Sequence, residues 1–204
     1  MLVIGLTGSI GMGKSTLAAH IRTRGIPVFD ADAEVHRLYA AEAAPLIEQA
    51  FPGTTSDGVV DKKRLAAALA DDPARFEQLE ALVHPLVRAS EQTFLHGAET
   101  AGARLAVLEV PLLYETGMDT LVDVVILASA SKATQRQRVL ARPGATAEKL
   151  DLLLSRQLPD AEKRRKADFV VDTGLSLPQT LANLDTVLDS LMARDGSAFR
   201  QQWL

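Results

Sequence analysis

The chain has 204 residues, of which 47% are hydrophobic and 24% charged, a composition that excludes a disordered chain and a fibrous repeat. It contains no cysteine, which excludes a disulfide framework, a thiol nucleophile and cysteine-ligated zinc. A net charge of -4 argues against nucleic-acid binding. The sequence shows neither a secretory signal nor an apolar run of about 18 residues, so we expect a cytoplasmic protein without a membrane partner. The oligomeric state is open, with a monomer as the default.

The first thirty residues predict a strand, a loop, a helix and a second strand. Residues 2–7 form an apolar run typical of a buried strand, and residues 14–22 carry apolar side chains at helical spacing. Gly25 stands where glycine commonly ends a helix, and residues 26–29 form a second apolar run. This order predicts an α/β fold with a parallel sheet flanked by helices.

A helical insertion is predicted over about residues 33–97, because this stretch is rich in Ala, Leu and Glu. We expect prolines such as Pro85 to punctuate it. Further elements follow in chain order: strands at 105–110 and 122–127, a basic helix at 132–142, a helix to about 158, a strand at 169–171 and an amphipathic helix at 177–192. The single domain then consists of a core of about 1–32, 98–131 and 167–204, the insertion at 33–97, and a helical segment of about 132–166.

The strongest motif runs from Gly8 to Ser15 and matches the P-loop pattern G-x-x-x-x-G-K-[ST] between a strand and a helix. Glycines let backbone N–H groups approach phosphate oxygens, and the positive end of the helix points at the same phosphates. Lys14 adds charge near the β- and γ-phosphates, and the Ser15 hydroxyl suits Mg²⁺. The candidate nucleotide-binding residues are Gly8, Gly11, Met12, Gly13, Lys14, Ser15 and Thr16.

Two large P-loop classes are excluded, because the sequence has neither an Asn-Lys-x-Asp guanine motif nor a Leu-Ser-Gly-Gly signature. The second predicted strand ends at Asp30-Ala31-Asp32, at the sheet edge where ligands bind. A carboxylate there is placed to take a hydroxyl proton or to hold Mg²⁺ through water. We favour Asp32 as the base and Asp30 as a helix cap. Glu109 fits a Walker B strand end or an ordinary buried carboxylate equally well.

The basic segment at 132–166 has ten Lys or Arg residues against four Asp or Glu. Arg138 and Arg142 are four residues apart, so they share a helix face. Arginines suit a lid that clamps phosphates and excludes water. The alternative is a solvated basic helix.

Two weaker signals concern an acceptor. The loop Pro111-Leu112-Leu113-Tyr114-Glu115 follows a predicted strand, and its apolar and aromatic side chains suit either a bulky organic acceptor or a small satellite core. His84 precedes a proline in the insertion, and it suits either a ligand contact or a structural role.

Taken together, these landmarks resemble the dephospho-coenzyme A kinase family. The P-loop alone is shared by many families, whereas the ordered set from about residue 4 to residue 174 is specific. Its members are the P-loop with its flanks, Asp30-Ala31-Asp32, Leu82-Val83-His84-Pro85, Pro111–Glu115, the Arg138 and Arg142 pair, Arg156-Gln157 and Ala167–Asp172.

The resemblance implies that ATP, with Mg²⁺, phosphorylates the ribose 3′-hydroxyl of dephospho-coenzyme A, the last step of coenzyme A biosynthesis. It implies Asp32 as general base, Lys14 and Arg138 as stabilisers of the transferring phosphoryl group, and Arg142 as a lid contact to the nucleotide. It also implies that the insertion at 33–97 binds the acceptor and that the segment at 132–166 is an arginine-bearing lid. His84 and the loop residues Leu113, Tyr114 and Glu115 are then expected to bind the acceptor.

The sequence departs from this family at two positions, since Met12 and Thr173 stand where Ser and Asn are common. The runner-up function is another P-loop small-molecule kinase, acting on a nucleoside, a nucleotide or a sugar acid. A nucleotide-dependent switch without phosphotransfer is a third reading, disfavoured by the joint presence of Asp32 and the lid arginines.

Overall fold

The computed structural model of the protein describes residues 1–70 and 72–204. The chain divides into two compact units, the first made of Met1–Phe29 with Leu95–Leu204 and the second of Asp30–Phe94. Among the described residues, none of the helices combines the length and the apolar character that a membrane crossing requires.

Seven strands are present in the described residues: β1 (Leu2–Thr7), β2 (Val28–Asp30), β3 (Thr55–Ser56), β4 (Val59–Val60), β5 (Leu105–Glu109), β6 (Val124–Ser129) and β7 (Phe169–Asp172). Five of them form one sheet in the order β2-β5-β1-β6-β7. The β1–β5, β1–β6 and β6–β7 pairs are parallel. The predicted fold class, a parallel sheet flanked by helices, is therefore confirmed.

Helices separate most of the strands of the five-stranded sheet along the chain, as expected where crossovers join parallel strands. They are α1 (Lys14–Thr23), α2 (Ala31–Tyr39), α3 (Ala43–Ala50), α4 (Lys62–Leu69), α5 (Pro73–Thr100), α6 (Lys132–Leu140), α7 (Ala147–Ser155), α8 (Asp160–Lys166) and α9 (Leu177–Met192), with a 3₁₀ turn at Met118–Leu121 and a π turn at Phe199–Trp203.

The core of the first unit lies between the sheet and the helices α1 and α9. All of β1 is buried, because its two sheet neighbours and its helices leave no face open to water. Leu17 and Ile21 of α1 and Leu184 and Leu188 of α9 are fully buried in the same cluster. This packing fixes the position of the junction between β1 and the P-loop.

The second unit is mostly helical, as predicted, and it has its own core around Leu38, Ile47 and Phe51. It also contains an antiparallel hairpin of β3 and β4, which the helical prediction missed. Asp57 and Gly58 connect the two strands, and both have positive φ angles (53° and 77°). Asp-Gly is the residue pair that such tight turns favour, so the signal was present in the sequence.

Helix α5 runs through Pro85, where the prediction expected an interruption. Proline removes one helical hydrogen bond and crowds the preceding turn, so it commonly ends or bends a helix. Here the buried residues Leu79 and Val83 on the same helix pack in the core of the second unit, and this burial offsets the loss.

Strand β6 begins two residues later than predicted because of Asp123. The carboxylate of Asp123 accepts the N–H of Val3 at 2.8 Å and the N–H of Ser197 at 2.7 Å. It thereby caps the start of the strand and joins it to the C-terminal segment.

Candidate active site

The P-loop connects β1 to α1 in a tight backbone turn. Gly13 caps α1 in the left-handed region (φ 86°), and Gly11 is also left-handed (φ 77°). A Cβ on Gly11 would lie 2.6 Å from Val139 Cγ2, and one on Gly13 would lie 3.1 Å from Thr173 Cβ. Both positions therefore favour glycine for conformation, and Gly11 also requires it for space.

The backbone of this loop leaves several donors free. Within the described residues, the N–H groups of Gly11, Gly13, Lys14 and Ser15 donate to no protein acceptor. Four free amides at the start of a helix form a concave site of positive potential. Such an arrangement suits the oxygens of a phosphate chain.

Lys14 is held by the carboxylate of Glu109, at the end of β5. Lys14 Nζ lies 2.7 Å from Glu109 Oε1, and Arg22 lies 3.5 Å from Glu109 Oε2. Glu109 is only 2% exposed and sits beside Leu6 of β1 in the sheet register. The charge of Glu109 is thus paired on both oxygens, and the Lys14 ammonium is kept beside the P-loop.

Ser15 and Thr16 are exposed in the first turn of α1. Thr16 N–H donates to Gly13 O at 3.1 Å, so its amide belongs to the helix. Because both residues are exposed, their side chains are accessible to a ligand.

Thr173, just after β7, links the P-loop to Arg138 of α6. Its hydroxyl donates to Met12 O at 2.7 Å and accepts from Arg138 Nη1 at 3.1 Å. Arg138 Nη2 also donates to Thr173 O at 2.6 Å. Thr173 is 6% exposed and Met12 is 1% exposed, so these bonds are shielded from water. One buried hydroxyl therefore fixes both the loop and the guanidinium.

Two other arginines, one in α6 and one just after it, do not contact the P-loop or Thr173. Arg142 is exposed just past the end of α6. Arg136 is exposed and forms a surface ion pair with Asp151 at 3.4 Å. Of the predicted arginine pair, the structure brings only Arg138 next to the P-loop.

The loop after β5 is largely buried. Leu113 is fully buried, with its Cδ1 against Gly5. The Tyr114 hydroxyl is buried and has no hydrogen-bond partner among the described residues. Desolvation, with smaller contributions from Asp119 and Asp168, raises the pKa of Tyr114 to about 12. The contacts of these two side chains are those of a packed core.

Glu115 ties this loop to the end of the basic segment. Its Oε1 accepts the N–H of Leu158 at 2.7 Å and lies 2.8 Å from Lys163 Nζ. Lys163 is wholly buried, so its ammonium relies on this carboxylate for charge compensation. The loop is therefore anchored to the residues that follow α7.

The second unit carries the remaining candidates. Asp30 Oδ1 accepts the N–H of Ala33 at 2.9 Å, which confirms the predicted helix cap. Asp32 is exposed in the first turn of α2, and its carbonyl accepts from His36 Nδ1 at 2.6 Å. His84 is exposed on α5. The first unit thus brings together Lys14, Arg138 and the P-loop, while Asp32 and His84 belong to the second.

Sequence reasoning missed three residues in this site. Thr173 was noted only as a departure from a family pattern, and Gln135 and Gln157, which bond to the P-loop, were given no role. The one available signal for Thr173 was its place at the carboxyl end of a parallel strand, where ligand sites lie.

Comparisons with known proteins identify the family of this chain. The sequence model of the family described as Dephospho-CoA kinase matches residues 2–179. A Rhodopseudomonas palustris (strain BisB18) protein named Dephospho-CoA kinase is 56% identical over 188 residues, covering 92% of this chain and 94% of the relative. One of the same name from Mesorhizobium japonicum is 53% identical over 197 residues, covering 97% of this chain and all of the relative.

A solved structure has a similar fold. The crystal structure of TT1252 from Thermus thermophilus is 36% identical to this chain, with a TM-score of 0.83. The match covers 93% of this chain and 97% of that one. On the family model and the near full-length relatives, this chain belongs to the dephospho-CoA kinase family.

Proposed function

We propose that the protein transfers the γ-phosphoryl group of ATP to the ribose 3′-hydroxyl of dephospho-coenzyme A, giving coenzyme A and ADP. The observation that carries this function is membership of the family over residues 2–179. The four free amides of the P-loop supply an independent physical reason for a phosphate chain at this place.

Lys14 and Arg138 are the cations that stabilise the transferring phosphoryl group. Charge spreads over its oxygens in the transition state, so fixed cations in a shielded site lower the barrier. Glu109 holds the Lys14 ammonium at 2.7 Å, and Thr173 holds the Arg138 guanidinium through two bonds. Both cations are therefore oriented before the substrate arrives.

Asp32 is the general base in this proposal. It takes the proton of the 3′-hydroxyl, whose oxygen then forms a bond to the γ-phosphorus while the bond from that phosphorus to the ADP oxygen breaks. Its exposure in the first turn of α2 leaves the carboxylate accessible to an acceptor.

The insertion of about 33–97, with His84, is the part that binds the acceptor. Of the loop residues predicted to bind the acceptor, Glu115 is exposed and takes this role. Leu113 and Tyr114 are buried in the core, so they support the loop from behind and do not contact the acceptor. Arg142, exposed beyond α6, is the lid residue that contacts the nucleotide within the segment 132–166.

Ser15 is the protein ligand for Mg²⁺. Its hydroxyl is exposed beside the free amides of the P-loop, and the described residues contain no group of three or more acidic or imidazole side chains that would hold a cation alone. This fits Mg²⁺, which commonly keeps several waters and binds substrate phosphates with few protein ligands. When bound, the ion neutralises phosphate charge and orients the γ-phosphate.

The test is ADP release in a coupled assay with ATP, Mg²⁺ and dephospho-coenzyme A, alongside a panel of nucleoside, nucleotide and sugar-acid acceptors. We expect ADP formation that depends on dephospho-coenzyme A. A preference for another acceptor would overturn the proposed substrate.

The role of Asp32 has its own test. Asp32→Asn removes the base but keeps the shape, so turnover should fall about 100-fold or more while ATP affinity is unchanged. Asp30→Asn is the matched control, since asparagine caps a helix as well as aspartate does. If both variants turn over at the wild-type rate, Asp32 is not the base.

A further inference from the structure

Both polar backbone groups of Ile10, in the P-loop, are held by glutamine side chains. The N–H of Ile10 donates to Gln157 Oε1 at 3.2 Å, and Gln135 Nε2 donates to Ile10 O at 2.8 Å. Gln135 is 5% exposed, and Gln157 is half-buried. The loop residue is thus bonded from two sides.

The two glutamines come from different parts of the basic segment 132–166. Gln135 lies on α6, three residues before Arg138, so the two side chains share a helix face. Gln157 follows the end of α7, and the next N–H, that of Leu158, is fixed by Glu115 at 2.7 Å. Each glutamine is therefore carried on an anchored part of the chain.

These bonds orient the amides that would receive a phosphate. In a trans peptide the carbonyl and the following N–H point in opposite directions. Gln135 holds the Ile10 carbonyl, and so it also sets the direction of the Gly11 N–H, one of the free donors of the loop. A rotated peptide would present the Ile10 carbonyl oxygen to the phosphates instead. Gly11 is conformationally permissive, so this rotation needs an active restraint.

We propose that Gln135 and Gln157 are positioning residues that clamp Ile10 and so hold the P-loop amides in place for the triphosphate. The clamp rests on the proposed function in one respect, since it takes ATP as the ligand of the loop. It assigns opposite requirements to the two positions, since residue 135 must donate and residue 157 must accept.

This polarity makes the proposal testable in the nucleotide-free protein by NMR. Gln157→Met should lower the exchange protection of the Ile10 amide, whereas Gln157→Glu keeps an acceptor and should preserve it. At residue 135, neither Met nor Glu supplies a donor, so both Gln135→Met and Gln135→Glu should change the chemical shift of the Gly11 amide from its wild-type value. Gln137→Met, an exposed position on the same helix, is the control.

The functional readout is the Kd for ATP, measured by calorimetry well below the unfolding temperature. We expect Gln135→Met and Gln157→Met each to raise the Kd about fivefold, because one net hydrogen bond is worth about that factor, and Gln137→Met to leave it unchanged. A glutamine with only a structural role would lower the unfolding temperature without moving the Kd of the folded protein.

Two results would overturn the clamp: an Ile10 amide that is indifferent to Gln157→Met, or Kd values within twofold of wild type in both Met variants. If Gln135→Met fails to fold, the comparison of Gln157→Met with Gln157→Glu decides alone. Neither readout involves an acceptor. An enzyme that bound ATP normally but ignored dephospho-coenzyme A would refute the proposed function and leave the clamp test intact.

Discussion

Replacing Thr173 by valine removes one hydroxyl group and leaves the side-chain volume nearly unchanged. The change deletes the bond donated to Met12 O at 2.7 Å and the bond accepted from Arg138 at 3.1 Å. Arg138 keeps its bond to the carbonyl of Thr173 at 2.6 Å, so it is loosened and not released. Thr173→Val therefore separates the hydroxyl from the backbone contact.

The expected loss of stability follows from these bonds. Met12 is 1% exposed, so its carbonyl is left without a partner and without water, at a cost of about 1–3 kcal/mol. The half-buried guanidinium recovers part of its loss from solvent. We expect the free energy of unfolding to fall by about 2–3 kcal/mol, which lowers the melting temperature of a domain this size by about 5–10 °C. The loosened Arg138 should also reduce kcat about tenfold.

Thr173→Ser is the matched control, because it keeps both hydroxyl bonds and loses one methyl group. Its destabilisation should be about 1 kcal/mol, and its kcat should stay close to that of the wild type. Thermal unfolding and ADP release, measured on the same preparations, give both quantities. The reasoning is refuted if valine and serine are equally stable and equally active at position 173.

Two further predictions concern buried charges. Lys14→Met should abolish turnover and reduce stability by about 2–3 kcal/mol, because Arg22 at 3.5 Å is then the one ion-pair partner left to Glu109 among the described residues. Adding Glu109→Gln should restore stability in thermal unfolding but not ADP release. A double variant no more stable than the single one would contradict this. Glu91 is 3% exposed, and desolvation, partly offset by Arg88, raises its pKa from 4.5 to about 7. The contribution of Glu91 to the stability of the fold is therefore fully present below about pH 4.5 and is lost as the pH rises through about 7. Glu91→Gln should therefore exceed the wild type in denaturant unfolding by up to about 3 kcal/mol at pH 8 and by little near pH 4.5, and a difference independent of pH would refute it.

The sequence predicts the fold well where its signals are local. The apolar run of β1, the glycine-rich loop and the helix after it lie within about twenty consecutive residues, so periodicity and motif agree there. Two features were not predicted, the continuous helix through Pro85 and the β3–β4 hairpin. In α5 tertiary packing outweighs the helix-breaking tendency of proline. The strands of the hairpin have two residues each, which is too short to show an alternation of apolar and polar residues.

The supporting residues of the site depend on contacts between distant parts of the chain. The hydroxyl of Thr173 and the carbonyl of Met12 are 161 residues apart in sequence, and Gln157 reaches Ile10 across 147 residues. No periodicity or spacing rule relates such pairs. Motifs located Lys14 and Arg138, whereas only the folded chain revealed what orients them.

The position of the transferred phosphate tests the central claim most directly. ³¹P NMR of the products of wild-type enzyme, ATP, Mg²⁺ and dephospho-coenzyme A should show a new phosphomonoester on the ribose 3′-oxygen, matched by one ADP for each acceptor consumed. A 3′-deoxy acceptor should give no product. A phosphate on any other oxygen, or ADP that forms equally well without the acceptor, would contradict the account.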